Sequence, residues 1–339
     1  MSAVEITNLF ADRLVGVDVG VIETRIGILT TDGEMVDAWE FPTDTSDGGS
    51  HIIPAVIEAL NRRFSEHEDE KPRVMGVGIC TSGVVDSDAG VVMAAYDLNW
   101  AQPQNVARDV STAVGLPVIV DNNAYTAALG SNWVGVGKDV ANLVYLRISG
   151  GVNAGIIAAS KLIRGAIGGA GEVGHICVEP DGGLKCSCGN HGCFETVASS
   201  HGVVELAKTM APDYPAPSPL KASIQNGDSI TLKMIYDGAR NGDALCEAVV
   251  EKLAHYIGRV CATLGVILNP DIIVIGGRIV EDADFLLEKF NEEFKDHSIP
   301  GIYESTRLAL NSLGLRAGVY GAAKLVLELR RKQALRSFR

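Results

Sequence analysis

Between Gly171 and Glu195 the chain reads Gly-Glu-Val-Gly-His-Ile-Cys-Val-Glu-Pro-Asp-Gly-Gly-Leu-Lys-Cys-Ser-Cys-Gly-Asn-His-Gly-Cys-Phe-Glu, and no other stretch restricts the fold as tightly. Three thiols, Cys186, Cys188 and Cys193, fall within eight residues, and His175 stands eleven residues before the first of them. Thiols at this density call for a metal or a disulfide framework. Zn²⁺ takes four nitrogen or sulfur ligands in a tetrahedron, and three cysteines with one histidine is one of its standard structural sets. Gly189, Asn190 and Gly192 between the thiols let a short loop curl back so that the sulfurs face one ion. Spacing leaves the fourth ligand open, because His191 inside the loop and Cys177 beside His175 are also close.

Composition favours the metal over the disulfide. The chain has seven cysteines, an odd number, and begins Met-Ser-Ala-Val-Glu-Ile-Thr, without the basic flank and apolar core of a leader peptide. A reducing cytoplasm is the expected compartment. With 339 residues, 47% of them apolar, the chain is long enough for two or three lobes with full cores. Its formal charge of −13 argues against an extended nucleic-acid face and against anionic membrane surfaces. No apolar run approaches the ~18 residues of a membrane span. The expectation is an acidic α/β protein of the cytoplasm.

The rest of the chain alternates strand-like runs, glycine turns and helical patterns. Leu14 to Gly20 is an apolar run ending in Asp18-x-Gly20; Arg25 to Thr30 follows, then the turn signal Thr31-Asp32-Gly33. Ser50 to Phe64 predicts an amphipathic helix, with Ile53, Val56, Ile57, Leu60 and Phe64 on one side, Pro54 in the first turn and Ser50 as cap. The strand Val74 to Ile79 leads to Thr81-Ser82-Gly83, and Asp97-Leu98-Asn99-Trp100 comes later, with Trp100 expected in the core. Val120 to Ser131 reads Val-Asp-Asn-Asn-Ala-Tyr-Thr-Ala-Ala-Leu-Gly-Ser, in which Asn122 or Asn123 suits a helix cap. Asn142 to Ile148 predicts a strand before Ser149-Gly150-Gly151, and Arg147 is expected to form an ion pair. Helices are expected over 196–210, 229–240 and 243–268, with a Pro-rich surface loop over 211–227. A strand over 272–275 ends in Gly276-Gly277-Arg278. The basic end of a last helix, about 318–336, fits the helix dipole better than a DNA contact.

Gly-Glu-Val-Gly-His followed by Cys-x-Cys-Gly-x-x-Gly-Cys-x-Glu resembles the ROK family, which groups bacterial sugar kinases with sugar-responsive repressors. The resemblance runs from about Leu14 to the last helix. It implies structural zinc on His175, Cys186, Cys188 and Cys193, and sugar contacts from Glu172, His175 and Glu195. Two acceptor-only carboxylates and an imidazole suit a ring of hydroxyl donors. It also implies sugar contacts from Ser82, Gly83, Asn99 and Asn122, and nucleotide contacts from Asp18, Gly20, Gly150, Gly151, Gly276 and Gly277. The fold implied is α/β: a two-lobed, actin-like, ribonuclease-H-type ATPase fold. Its smaller lobe is expected over 1–131 plus about 318–339, its larger lobe, carrying the zinc loop, over 132–317, and the sugar in the cleft between them.

Departures from the family pattern fall on the catalytic half. Where ROK kinases show Asp-x-Gly-Gly-Thr-Lys, this chain has Asp18-Val19-Gly20-Val21-Ile22-Glu23, which puts two β-branched apolar residues and a negative charge where phosphate would lie. Two glycines and the threonine of the second phosphate hairpin are replaced, around Ser149, Gly150 and Asn153. Arg278 stands where a third glycine is common, and Asp97 replaces an asparagine. Most pointedly, Asn123 occupies the position of the family's catalytic aspartate. A neutral amide cannot usefully take the proton of an attacking hydroxyl, and general-base help is worth ~10²–10⁴-fold. Phosphoryl transfer rests largely on positioning and electrostatics, so residual turnover is compatible with this change. The sequence therefore leads to a sugar-binding regulator or sensor with lost or weak kinase activity, binding a hexose or amino sugar. The alternatives are an active kinase using ATP and Mg²⁺, and a transcriptional regulator whose DNA-binding domain is not in this chain, since only about thirteen residues precede the first strand. Family habit implies a homodimer or homotetramer, with no membrane and no direct nucleic-acid contact.

Overall fold

The computed structural model describes residues 11–337, with side chains through residue 330. The basic end of the last helix beyond that point, and the reading of it as dipole compensation, lie outside the described side chains. The chain divides into two units: one takes residues up to Asp139, Leu162–Ala170 and the residues from Leu315, the other Val140–Lys161 and Gly171–Gly314.

In the first unit, the central strands are apolar runs with almost every residue buried and are covered on both faces, while the edge strand Met35–Pro42 has no buried residue. Its strands are β1 (Arg13–Val19), β2 (Glu23–Thr30), β3 (Met35–Pro42) and β4 (Val74–Thr81); a small hairpin of β5 (Val84–Asp86) and β6 (Val91–Ala94) stands apart; β7 (Val118–Asn122) completes the sheet in the order β3-β2-β1-β4-β7. β1, β2 and β3 pair antiparallel, while β1, β4 and β7 pair parallel. Side chains alternate along β1: Val15, Val17 and Val19 join Val56, Leu60 and Phe64 of α1 (Ile52–Glu66) and Val106 and Val110 of α2 (Val106–Val114). Leu14 packs instead with Val319, Ala323 and Val326 of the last helix, Ala317–Ser337.

That helix lies against the strands at backbone distance because glycines face it. A Cβ at Gly16 would stand 2.0 Å from the Val319 carbonyl oxygen, and one at Gly78 only 1.7 Å from that of Ala322. Helix α3 (Asn123–Val134) is held as closely, since a Cβ at Gly321 would fall 1.6 Å from the Thr126 oxygen. Gly78→Ala is expected to cost at least ~3 kcal/mol, the upper range of overpacking, because backbone on both sides must move. Urea unfolding checks this; a loss under ~1 kcal/mol would contradict the close approach.

The second unit repeats the arrangement of an antiparallel hairpin beside parallel strands. β8 (Leu143–Ile148), β9 (Val152–Ala158), β10 (Lys161–Ile163), β11 (Ile272–Gly276) and β12 (Arg307–Leu310) form a sheet ordered β10-β9-β8-β11-β12. β8 runs antiparallel to β9 and parallel to β11, which is parallel to β12. Helices α4 (Ser200–Met210), α5 (Pro219–Asn226), α6 (Leu232–Arg240), α7 (Ala244–Leu268) and α8 (Leu286–His297) pack with it around one core, in which Phe194, Phe290 and Phe294 are fully buried.

Two local expectations are corrected. Ser50 does not cap α1: its backbone is already helical and its N–H bonds to the Asp47 oxygen, while the boundary residue His51 is helical too and makes no side-chain cap bond. An N-cap needs the non-helical backbone that Ser50 lacks. The Pro-rich stretch over 211–227 contains α5, because Ser218 Oγ accepts from the Lys221 N–H and Pro219 supplies the preset φ of a first helical residue. Asp243 then joins two helices: its Oδ1 accepts from Leu245 and Cys246 at the start of α7, and its Oδ2 from Ser218 and Leu220.

Candidate functional site

In the first unit the candidate residues gather where β7 runs into α3. Asn122 does two jobs there: its Oδ1 caps α3 by accepting from Ala124 N–H at 2.8 Å, and its Nδ2 donates to the Gly83 carbonyl at 2.9 Å. Gly83 is required at that point, with φ at +87° and the Ala94 oxygen 2.0 Å from where a Cβ would be. Beside it Ser82 Oγ donates to Asp97 Oδ1 at 2.6 Å, so the aspartate at position 97 serves as an acceptor. Asn99 is exposed in a left-handed conformation and donates to the Thr45 carbonyl, while Trp100 is buried and donates to that of Gly49. Asn123, 4% exposed, is the first residue of α3.

Sequence reasoning missed the clamp beneath this cluster. Asp121, 1% exposed, accepts from its neighbour Asn122 N–H on Oδ1 and from Arg164 on Oδ2, which takes both Nε at 3.1 Å and Nη2 at 2.5 Å. Tyr125 Oη donates towards the Gly168 and Ala170 carbonyls at 2.9 and 2.8 Å. Together they fasten residues 164–170, the strip that leads to Glu172. The signal present in the sequence was a carboxylate at the end of the apolar run Val118–Val120, since a buried aspartate needs a partner. Tyr125→Phe leaves the strip's carbonyls without this donor and is expected to cost ~1–3 kcal/mol, read by denaturant unfolding, with hydrogen exchange rising over residues 165–170.

In the second unit, ligand atoms of His175, Cys186, Cys188 and Cys193 all lie within 4.8 Å of one another. Cys188 Sγ is 3.7 Å from Cys193 Sγ, and Cys186 Sγ is 3.5 Å from His175 Nδ1. The edges of a zinc tetrahedron with ordinary Zn–S and Zn–N bonds are about 3.8 Å and about 3.5 Å, so these four residues fit the ion. Cys177 lies outside the group: its Sγ sits 3.8 Å from the His191 carbonyl. With Nδ1 turned to the thiols, the other ring nitrogen of His175 is 3.9 Å from Glu172 Oε2. Burial pushes the Glu172 carboxyl up, His175 opposing and Glu195 adding to it, but with 53% of the side chain still exposed solvent damps that push.

Glu195 ties this loop to the glycine hairpin after β8. Its Oε2 accepts from the Val152 N–H at 2.8 Å, and a Cβ at Gly151 would stand 3.1 Å from the same oxygen. Ser149 Oγ accepts from the Arg278 N–H at 3.1 Å, and Gly277, at φ +95°, lies against the Ile148 carbonyl. The structure thus brings Gly150, Gly151, Gly276 and Gly277 together in this unit. Arg278 turns to Glu281 at 3.5 Å, whereas the ion pair expected of Arg147 is absent among the described residues.

Asp18 and Gly20 belong to the first unit. Asp18 is buried, accepts from the Cys80 thiol at 3.3 Å and lies beside Gly318 of the last helix. The turn after it closes by a Gly20 N–H bond to the Glu23 carbonyl, leaves Val21 and Ile22 44% and 59% exposed, and pairs Glu23 with Arg25. A second group, His255, Glu293 and His297, joins α7 to α8 through Glu293, whose carboxylate is 2.9 Å from His255 Nδ1 and 3.5 Å from His297 Nδ1.

Comparison with known proteins bears on the whole of this arrangement. The model of the ROK family matches residues 14–329. The chain is 37% identical to a glucokinase of Halalkalibacterium halodurans, over 92% of this chain and 94% of that protein. Among solved structures, a ROK family glucokinase from Streptomyces griseus in complex with glucose and AMPPNP superposes with a TM-score of 0.79 at 30% identity, covering 93% of this chain and 99% of that one. A ROK family transcriptional regulator described as a homolog of the E. coli MLC protein superposes with a TM-score of 0.82 at 27% identity, covering 97% and 81%. The two α/β sheets, each a hairpin beside parallel strands, are the actin-like kinase arrangement of these relatives, and the chain belongs to the ROK family.

Proposed function

We propose that this chain binds a hexose or amino sugar through a zinc-stabilised loop and that its phosphoryl-transfer chemistry is weak or lost. Zinc, once held by His175, Cys186, Cys188 and Cys193, fixes the loop's shape and leaves Nε2 of His175 for a hydroxyl. Glu172 and Glu195 supply acceptors beside it. Asn122 supplies an amide whose position its helix cap and its bond to Gly83 hold, with Ser82, Gly83 and Asn99 nearby. The observation that carries the reading is Asn123. It is a neutral amide, 4% exposed, at the position where the resemblance to ROK kinases puts the catalytic aspartate.

The nucleotide half supports the same reading. A phosphate loop works by presenting backbone N–H groups and positive charge. The turn over 20–23 instead presents Val21, Ile22 and a carboxylate already paired to Arg25. Gly150 stands in open space, so the second hairpin retains room for a phosphate. A second reading, an active hexose kinase using ATP and Mg²⁺, is favoured by the 37% identity to a glucokinase along nearly the full length of both chains. Calorimetric titration with a panel of hexoses and amino sugars, followed by an ATP-dependent phosphorylation assay on the same sugars, separates the two. Binding without efficient turnover supports the first reading, and efficient turnover supports the second.

A further inference from the structure

Cys177 is exposed, is not one of the four clustered ligands, and lies directly across from Cys193. The two are partners in an antiparallel bridge. Their flanking backbone bonds, Phe194 N–H to the Ile176 carbonyl and Val178 N–H to the Gly192 carbonyl, are each 2.8 Å long. Bonds at the flanking positions on both sides make Cys177 and Cys193 a non-hydrogen-bonded pair. This is the closer of the two antiparallel pairings, with Cα atoms about 4.5 Å apart and side chains on one face. Disulfides span Cα separations of about 4.4–6.8 Å, so these two sulfurs can join without moving the backbone.

We propose that Cys177 and Cys193 form a reversible redox modification site, in which a peroxide converts the zinc-loop thiols into a Cys177–Cys193 disulfide and releases the metal. The step rests on the zinc reading above and balances as follows. The Cys177 thiol gives its proton to solvent, the thiolate attacks hydrogen peroxide, the O–O bond breaks, the sulfur keeps one oxygen as a sulfenic acid, and the other leaves as hydroxide, which takes up a proton to become water. The Cys193 thiolate then attacks the Cys177 sulfur, the S–S bond forms as the S–O bond breaks, and the departing hydroxide takes a proton from solvent to become the second water. Two thiols are oxidised and one peroxide is reduced. Cys177 reacts first because it is exposed and carries a free sulfur, whereas the lone pairs of the three clustered sulfurs are engaged when the metal is bound. Cys193, 1% exposed, is reached from within by its cross-strand neighbour. Oxidation leaves His175, Cys186 and Cys188 as a three-ligand set, and structural zinc sites are four-coordinate. A dithiol reductant reverses the change by thiol–disulfide exchange. Because His175 lies two residues before Cys177 and Glu195 two after Cys193, the disulfide falls between two of the proposed sugar contacts.

The test uses the full-length protein purified under reducing conditions, its zinc content measured first. Hydrogen peroxide is added with a zinc-sensitive dye present, and the products are digested with trypsin without reduction. Cleavage after Lys185 separates Cys177 from the other three cysteines, so the proposed disulfide appears as a linked pair of peptides that a dithiol splits. Zinc release is expected to accompany the linked pair, and Cys177→Ser is expected to keep its zinc both before and after peroxide. A linkage confined to Cys186, Cys188 and Cys193, or equally fast release from Cys177→Ser, overturns the proposal. A Cys177→Ser protein that emerges without metal overturns it too, by making Cys177 a ligand. Protein that carries no zinc before oxidation defeats the zinc reading instead, and the peptide linkage still decides whether the pair forms.

Discussion

Cys186→Ala is expected to empty the metal site and abolish sugar binding together. Cys186 is 4% exposed and its sulfur stands 3.5 Å from His175 Nδ1, so alanine removes a proposed ligand from inside the cluster. Structural zinc contributes about 10–16 kcal/mol to the small domains it organises. The loop from Gly171 to Glu195 has only a few apolar anchors in the core of the second unit, Val173 and Phe194 within it and Ile176 and Val178 packed against it. Two backbone bridges, Cys177 with Cys193 and Lys185 with His191, then have to hold the loop with the Glu195 bond to Val152 and the contacts of Glu179 with Tyr256 and Lys252. His175 loses the ion that orients its ring, and Glu172 loses its fixed neighbour. Zinc content is expected to fall from about one per chain to near zero, with calorimetric sugar binding lost while the first unit keeps its cooperative melt. Prolonged chelation of the wild type is expected to do the same, and zinc to restore it. A Cys186→Ala protein that still binds sugar at wild-type affinity would contradict the account of the loop.

Asn123→Asp is expected to raise phosphoryl transfer to the bound sugar by ~10²–10⁴-fold, the ordinary worth of a positioned general base. The two side chains have nearly the same shape, so the fold has little reason to change. The new carboxylate meets opposing influences. Its place in the first turn of α3 favours a negative charge by ~0.3–1 kcal/mol, while burial at 4% exposure disfavours it. Sugar affinity is expected to move little, since Asn122, Glu172, His175 and Glu195 are untouched. If kcat stays low while sugar still binds, the deficit extends to the phosphate loops, where Val21, Ile22 and Glu23 stand.

Much of the fold could be read from local pattern. The strands over 13–19, 74–81 and 272–276 are short apolar runs ending in glycine or small polar residues, and period and punctuation sufficed to find them. α5 was missed because its eight residues follow a proline-rich segment, although Ser218-Pro219 is itself a helix-start signal. The site was legible where chemistry is concentrated in sequence. The thiols and His175 sit within one loop, and the structure gathers His175, Cys186, Cys188 and Cys193 with Cys177 outside the group. Long-range contacts were not legible. The Asp121–Arg164 pair and the Tyr125 clamp join residues some forty positions apart, and no periodicity encodes them. The register that sets Cys177 against Cys193 is likewise a product of loop closure.

The central claim is that this chain holds a sugar without efficiently phosphorylating it. It is tested most directly by measuring sugar binding and ATP-dependent phosphorylation on one wild-type preparation, with Asn123→Asp alongside. The account predicts calorimetric binding of at least one hexose or amino sugar, wild-type turnover at or near background, and a large gain in the aspartate variant. Rapid wild-type turnover, unchanged or reduced in Asn123→Asp, would contradict it and make this chain a sugar kinase that works with an amide at the base position.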